Sequence, residues 1–345
     1  MSKQLRLGYI AGYWSSGPPA GVEEALHAAE DLGYDSFWTA EAYGSDALTP
    51  LAWWGAKTSR IRLGTSVAQI SARTPAAMAM AAITLDHLSD GRFILGLGAS
   101  GPQVVEGWYG RPYQRPLERT REYVEIIRRI VRRDMPVTFD GRQYQLPYPG
   151  GSGLGKPLKS TVHPLRREIP IYLGAEGPKN VAMAAEIADG WLPVFFSPKL
   201  DHFYCDALAE GFARPGARHT LDDFEIPASV PVVIDDDIER AADVVRPTLA
   251  LYIGGMGARD MNFHYEVFAR MGYEDVCEKV QAAFLAGRRA DAIAAIPTAM
   301  VEDTALIGPH AKVREDLARW RETVITGLLV GGPPAFLEQV ANLVW

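Results

Sequence analysis

Glu41 closes an apolar run, Tyr34–Ala40, with Ala40 before it and Ala42 after it. A carboxyl group at the end of a buried strand can bond a ligand's polar edge, relay a proton, or pair with a cation such as Arg73. A second candidate is the stretch Ala175-Glu176-Gly177-Pro178-Lys179-Asn180, which joins an apolar run to a helical pattern. N–H groups at a helix start suit an anion, and the helix dipole assists them. Gly177 would allow close approach and Lys179 would add charge; the plain alternative is a turn with Lys179 in solvent. Tyr13, Trp14, Trp108 and Trp191, with Glu106, lie at or just after apolar runs. Such flat side chains either line a substrate cavity or fill the core. The histidines, among them His87 and His264, fall into no metal-ligand spacing.

Gly96, Gly98 and Gly101 spell GxGxxG directly after a strand. The match reads poorly as a dinucleotide fingerprint, which belongs to a first βα unit and needs an acidic residue about 20 residues on. Here Pro102 follows, and no clear helix opens at once. The preferred reading is a strand end where a flat ligand nears the backbone; the other is close barrel packing.

These residues must be positioned by something, and the chain alternates. Strands are expected at Leu5–Ile10, Tyr34–Ala40, Ile61–Val67, Phe93–Ala99, Ile169–Ala175, Trp191–Phe196, Ala228–Ile234 and about 325–330. Helical spacing follows them, as in Gly21–Leu32, Ala47–Thr58, Pro75–Leu88 (with Ala76, Ala77, Met80 and Ile83 on one face), Leu117–Arg133, Pro178–Ala188, near Asp201–Ala213, from Ile238, and Ala335–Leu343. Apolar strands in strict alternation with helices imply a parallel sheet covered by helices. Eight units predict a (β/α)₈ TIM barrel, whose sites lie at the C-terminal ends of the strands. The 345 residues exceed the roughly 250 of a bare barrel. One domain over 1–345 is expected, with insertions at about 134–167 and 254–309 covering the C-terminal face.

Composition narrows the partners. Apolar residues make up 48% of the chain and the net charge is -7. An acidic chain without a basic stripe is a poor nucleic-acid binder. Arg128, Arg129, Arg132 and Arg133 read as the wet face of a helix. No run reaches the roughly 20 apolar residues of a membrane span, and the first residues lack a signal peptide's apolar core. Cys205 and Cys277 sit in no metal or redox spacing and read as reduced thiols, as in a cytoplasmic protein.

Four segments carry a resemblance: GYDSFWTAEAYGSDA (33–47), RIRLGTSVAQISARTP (60–75), LDHLSDGRFILGLGASGPQ (85–103) and IPIYLGAEGPKNVAMAAEIADGWLP (169–193). In this order, the chain resembles the luciferase-like, F420-dependent oxidoreductases. The resemblance implies a deep pocket for a flavin or 5-deazaflavin at the C-terminal ends of the strands. It implies a non-prolyl cis peptide at Ser66–Val67 behind the ring, Ala99 and Ser100 flanking it, and the Ala175–Asn180 turn, with Pro178, at the phosphate. Glu41 matches an acid that related sugar-phosphate dehydrogenases follow with a catalytic histidine; here Ala42 stands in that place, so their mechanism does not carry over.

The expected function is therefore hydride transfer between C5 of coenzyme F420 and a small organic substrate, with Glu41 as a catalytic or cofactor-binding candidate. The substrate would enter beneath 134–167, where Lys156, Lys159, Arg166 and Arg167 would meet the cofactor's glutamate tail. The alternatives are an FMN-dependent monooxygenase and a non-catalytic deazaflavin-binding protein. By resemblance, a homodimer is the default assembly.

Overall fold

A computed structural model describes residues 4–257 and 262–345; the expected insertion at 254–309 therefore falls partly outside the described residues. Eight parallel strands form the barrel. They are Arg6–Ile10, Ser36–Thr39, Arg62–Thr65, Phe93–Gly98, Ile171–Gly174, Gly190–Leu192, Pro227–Ser229 and Gly327–Val330, numbered here as barrel strands one to eight. Strand eight pairs with strands one and seven, and the rest follow in chain order to strand six. A parallel bridge between Gly190 and Glu225 joins six to seven, where the Trp191 N–H donates to the Glu225 carbonyl at 2.8 Å.

The helices form the outer ring because each hides one face. In Val22–Leu32 the buried residues are Val22, Ala25, Leu26 and Ala29, at helical spacing. Gly33 stops that helix at φ 87°, a left-handed conformation open to glycine. In Pro75–Leu88 the buried face holds Met78, Ala79, Ala82 and Ile83, while Met80 is exposed. The expected face is thus rotated. That helix is apolar almost all round, so periodicity points weakly to one side.

Trp38 fills the barrel's middle. It is fully buried with Ile94, Tyr172, Leu192 and Leu329, and its indole N–H donates to Ser36 Oγ at 2.8 Å. Strand three leaves a glycine for it: a Cβ on Gly64 would lie 2.3 Å from Trp38 Cζ3. The interior around Trp38 is therefore packed. At the opposite, N-terminal end, Arg62 pairs with Asp35 and with Glu225 (2.9 Å), and Arg6 with Glu225 (3.0 Å).

The structure corrects several expectations. A helix, Pro102–Gly107, opens at once after Gly101; proline is a favourable first helical residue, not a barrier. The expected strand 228–234 divides. Pro227–Ser229 stays in the barrel, while Val232–Ile234 pairs in parallel with Leu306–Gly308 outside it. Helix Ile238–Gly254 opens an excursion that ends at that pair, and His310–Arg321 is the helix that leads back to strand eight.

No residue of 134–167 lines the cavity at the C-terminal ends of the strands. The stretch joins a helix to a strand, so both its ends lie at the N-terminal end of the barrel, where Arg166 binds Asp86 and the carbonyl of Phe93 at the start of strand four. Between them its hairpin runs back along helix Pro116–Arg132, where Glu122 accepts the backbone N–H groups of Arg142, Gln143 and Tyr144. Lys159 and Arg167 bind Asp134, just past the helix end, so with Arg166 they lie away from the C-terminal mouth, and Lys156 does not line the cavity. Arg128 is not on a wet face. It is 4% exposed and bonds Glu168, Asp189 and the Ile187 carbonyl.

Candidate functional site

A cavity of about 580 Å³ opens at the C-terminal ends of strands two to six, within the range of small-molecule sites. Its wall includes Ser66, Val67, Gly98, Ala99, Ser100, Gly174 and Gly177. Strand three creates the flat part. After Thr65 the Ser66–Val67 peptide is cis, and Ala68–Gln69 resumes pairing against Leu97–Gly98. Thr65 Oγ1 anchors the step, donating to the Gly96 carbonyl at 2.7 Å and accepting its N–H at 2.9 Å.

That geometry explains two of the three glycines. A Cβ on Gly96 would lie 1.7 Å from the Thr65 carbonyl oxygen, and one on Gly98 would lie 2.5 Å from Val67 Cγ2. Both are required by packing against strand three. The preferred ligand-driven reading is thus replaced at Gly96 and shared at Gly98, which also lines the cavity. Ser100 adopts a left-handed φ of 59° in the same wall.

Glu41 is 5% exposed and lines the cavity, but its carboxylate is occupied. Oε2 accepts the Gln69 N–H at 2.7 Å, and Arg73 Nη1 donates to Oε1 at 2.8 Å. Glu41 thereby ties the end of strand two to the segment after the bulge. Gln69 Oε1 is buried in the cavity wall with no hydrogen-bond partner, an acceptor open to a donor on a ligand's polar edge.

Helix Pro178–Ile187 starts at Gly177 without a side-chain cap; Pro178 has no N–H and the Asn180 N–H reaches the Gly177 carbonyl at 3.0 Å, so the N–H groups of Gly177 and Lys179 are the ones left for a ligand. Ala175, Glu176, Gly177 and Asn180 line the cavity; Pro178 and Lys179 are exposed and do not. Proline at the first position turns outward with the helix, carrying the Lys179 side chain with it.

The aromatic candidates divide. Tyr13 and Trp108 line the cavity. Trp14 packs on Trp54, ring centroids 5.9 Å apart, and is absent from the wall. Trp191 is fully buried behind strand five, where its Nε1 donates to the Ala175 carbonyl at 2.8 Å. Glu106 accepts the Tyr113 N–H at 3.0 Å, away from the wall.

Tyr252 and His264 also line the cavity, and sequence reasoning missed both. Their rings meet edge to face at 4.7 Å. Burial, with Tyr13 adding to it, pushes the Tyr252 phenol far above its usual range. His264 Nδ1 lies 2.6 Å from Glu176 Oε1, off the line of a hydrogen bond. Both His264 Nδ1 and Glu176 Oε2 are left without hydrogen-bond partners.

The wall thus joins a backbone platform, small side chains beside it, an uncapped helix start and a separate ionisable cluster. Together these can hold a flat, anion-bearing ligand with room for a second molecule. Comparison with known proteins agrees. The model of the luciferase-like monooxygenases matches residues 8–327. A Mycobacterium tuberculosis protein, provisionally named a coenzyme F420-dependent oxidoreductase, is 54% identical over 345 residues, 99% of each chain. A 5,10-methylenetetrahydromethanopterin reductase of Archaeoglobus fulgidus is 29% identical over 90% of this chain and 89% of its own. The solved F420-dependent tetrahydromethanopterin reductase of Methanopyrus kandleri superposes with a TM-score of 0.79 at 23% identity, covering 99% of this chain and 98% of that one, which establishes the likeness of fold.

Proposed function

The chain belongs to the luciferase-like monooxygenase family, and from that premise we propose that its cavity holds coenzyme F420 and that it is an F420-dependent oxidoreductase of a small organic substrate. When bound, the deazaflavin supplies a ring carbon, C5, that gives or takes hydride. The chain's own residues position and enclose it.

Ser66 and Val67, which line the cavity, would back one face of the ring with peptide atoms and leave the other face to substrate. Ala99 and Ser100 are small enough to flank its edge. Gln69 Oε1 accepts from its polar side, and Glu41 holds Gln69 in place. The uncapped start of helix Pro178–Ile187 would receive a phosphate through the backbone N–H groups of Gly177 and Lys179 and through the dipole. The Lys179 side chain, exposed, has no part in this. A cytoplasmic homodimer fits the same reading.

The observation that carries the proposal is the cavity itself. One continuous wall runs from the Ser66–Val67 platform to the Gly177 helix start, which suits a tricycle at one end and an anion at the other. The 54% identical relative supports F420 over FMN. The experiment is isotopic. The protein is mixed with F420 reduced with deuterium at C5 and a panel of ketones, aldehydes and imines. Deuterium in a reduced product is the expected result. Oxygen consumption with reduced FMN, and no transfer from F420, would contradict the proposal.

A further inference from the structure

Apart from tyrosines, the ionisable side chains lining the cavity, among the described residues, are Glu41, Glu176 and His264. Glu41 is tied by Arg73 and by the Gln69 N–H, so its carboxylate is committed. Glu176 and His264 are the uncommitted pair. Their closest atoms are 2.6 Å apart, yet Glu176 Oε2 and His264 Nδ1 carry no hydrogen bond. A small rotation of the imidazole would align Nδ1 with the carboxylate and leave Nε2 for a ligand. A carboxylate behind one ring nitrogen orients the imidazole and stabilises its charged form while the other nitrogen exchanges a proton.

The pair is built, not adventitious. Asn262 is 6% exposed. Its Oδ1 accepts the His264 and Tyr265 N–H groups, at 3.0 and 3.1 Å. Its Nδ2 donates to the carbonyls of Tyr252 and Ile253, at 2.9 and 2.8 Å. Asn262 thus fixes the helix carrying His264 against the helix carrying Tyr252. Among the described residues, the groups facing the pair are Tyr252, Tyr13 beyond it (hydroxyl oxygens 3.5 Å apart) with Tyr43 near Tyr252, and Tyr204 and Arg270 on the Glu176 side. The Tyr252–Tyr13 contact leads toward half-exposed Tyr13 at the mouth.

We propose that His264, backed by Glu176, is the acid–base that exchanges the proton accompanying hydride transfer. This rests on the proposed F420 chemistry. In the reducing direction the reduced deazaflavin gives hydride to a carbonyl or imine carbon and is oxidised. The C=O or C=N π pair moves to the heteroatom, which takes a proton from the His264 imidazolium. The imidazole is reprotonated from solvent at the cavity mouth. The reverse reaction runs the same steps backward. The proton thus enters from the excursion between strands seven and eight, not from position 42 after strand two, where Ala42 carries no proton.

Two measurements test this. In the first, each histidine's acylation by diethylpyrocarbonate is mapped by mass spectrometry. His264 is expected to react at least tenfold faster than His219, whose two ring nitrogens are both held by carboxylates, and saturating F420 is expected to slow it at least tenfold. Reaction of His264 no faster than His219 overturns the pair. In the second, any ketone, aldehyde or imine that the wild type reduces with F420 is reduced about 100-fold more slowly by His264→Asn. F420 affinity is expected to be kept, with partial rescue by imidazole. Undiminished turnover in that variant overturns the proposal. Loss of F420 binding by the wild type, or inertness toward every probe, counts against the F420 reading instead, and the acylation ratio still decides on the pair.

Discussion

Glu41 Oε2 accepts the backbone N–H of Gln69 at 2.7 Å, so a carboxylate on strand two holds the chain just beyond the strand-three bulge. The same carboxylate neutralises Arg73, which also has Asp46 at 3.5 Å. Glu41→Gln keeps an acceptor for Gln69 but leaves Arg73 short of charge. Because Arg73 is partly exposed and Asp46 remains, the cost is expected at about 2 kcal/mol, below that of breaking a fully buried pair. Urea unfolding measures it, and F420 affinity is expected to fall roughly tenfold, the equivalent of 1.4 kcal/mol.

Trp191 acts from behind the wall. Its indole N–H is the donor to the Ala175 carbonyl, and both groups are buried. Trp191→Phe keeps most of the ring and removes the donor. An unsatisfied buried carbonyl costs about 1–3 kcal/mol. The expected signature is lower stability together with weaker F420 binding, since Ala175 lines the cavity. A stability loss with unchanged affinity would show that strand five's end is held by other contacts.

Gly98→Ala puts a methyl 2.5 Å from Val67 Cγ2. Val67 is β-branched and sits in the bulge, so relief requires the platform to shift. Overpacking of this kind costs about 1–3 kcal/mol, and F420 affinity should drop more than tenfold while the far-ultraviolet spectrum is kept. Gly96→Ala meets a carbonyl oxygen at 1.7 Å and should yield little folded protein. Wild-type affinity in Gly98→Ala would separate the platform from the cofactor.

His219 sits at the N-terminal rim. Burial disfavours its charged form, but hydrogen bonds to Asp189 and Asp223 prevail and raise its pKa. The Thr220 N–H leads in holding the Asp223 carboxyl down at about 2. The signs follow. The His219 contribution is present below the ordinary imidazole value of about 6.5 and is lost as pH rises through the raised one. The Asp223 contribution is present above about 3.9 and is lost as pH falls toward 2. Urea unfolding should therefore find His219→Gln most destabilised near pH 6, with the gap to wild type narrowing by pH 9. A gap independent of pH would contradict this.

The barrel was legible because parallel strands buried on both faces read as short apolar runs, and because eight of them alternate with helices. The platform was legible only through resemblance, since Thr65-Ser66-Val67 is an ordinary strand triplet. Loop sides were harder. The stretch 134–167 looked like a lid by its glycines and prolines, but both ends of a helix-to-strand connection lie at the far end, and its hairpin packs along helix Pro116–Arg132 outside the cavity wall. Arg128 looked solvated by type and is buried by its carboxylate partners. His264 was hidden for another reason. It lies some 220 residues from Glu41 in sequence, and nothing local marks a helix that reaches over a distant cavity.

The central claim is that the wall from Ser66–Val67 to Gly177 is a deazaflavin site, and direct titration tests it most simply. Purified apoprotein is titrated with F420 and, separately, with FMN, following tryptophan fluorescence; Trp108 lines the cavity. Quenching by F420 is expected at about micromolar concentration or below, with FMN at least a hundredfold weaker. Saturable binding of FMN with none of F420 would contradict it.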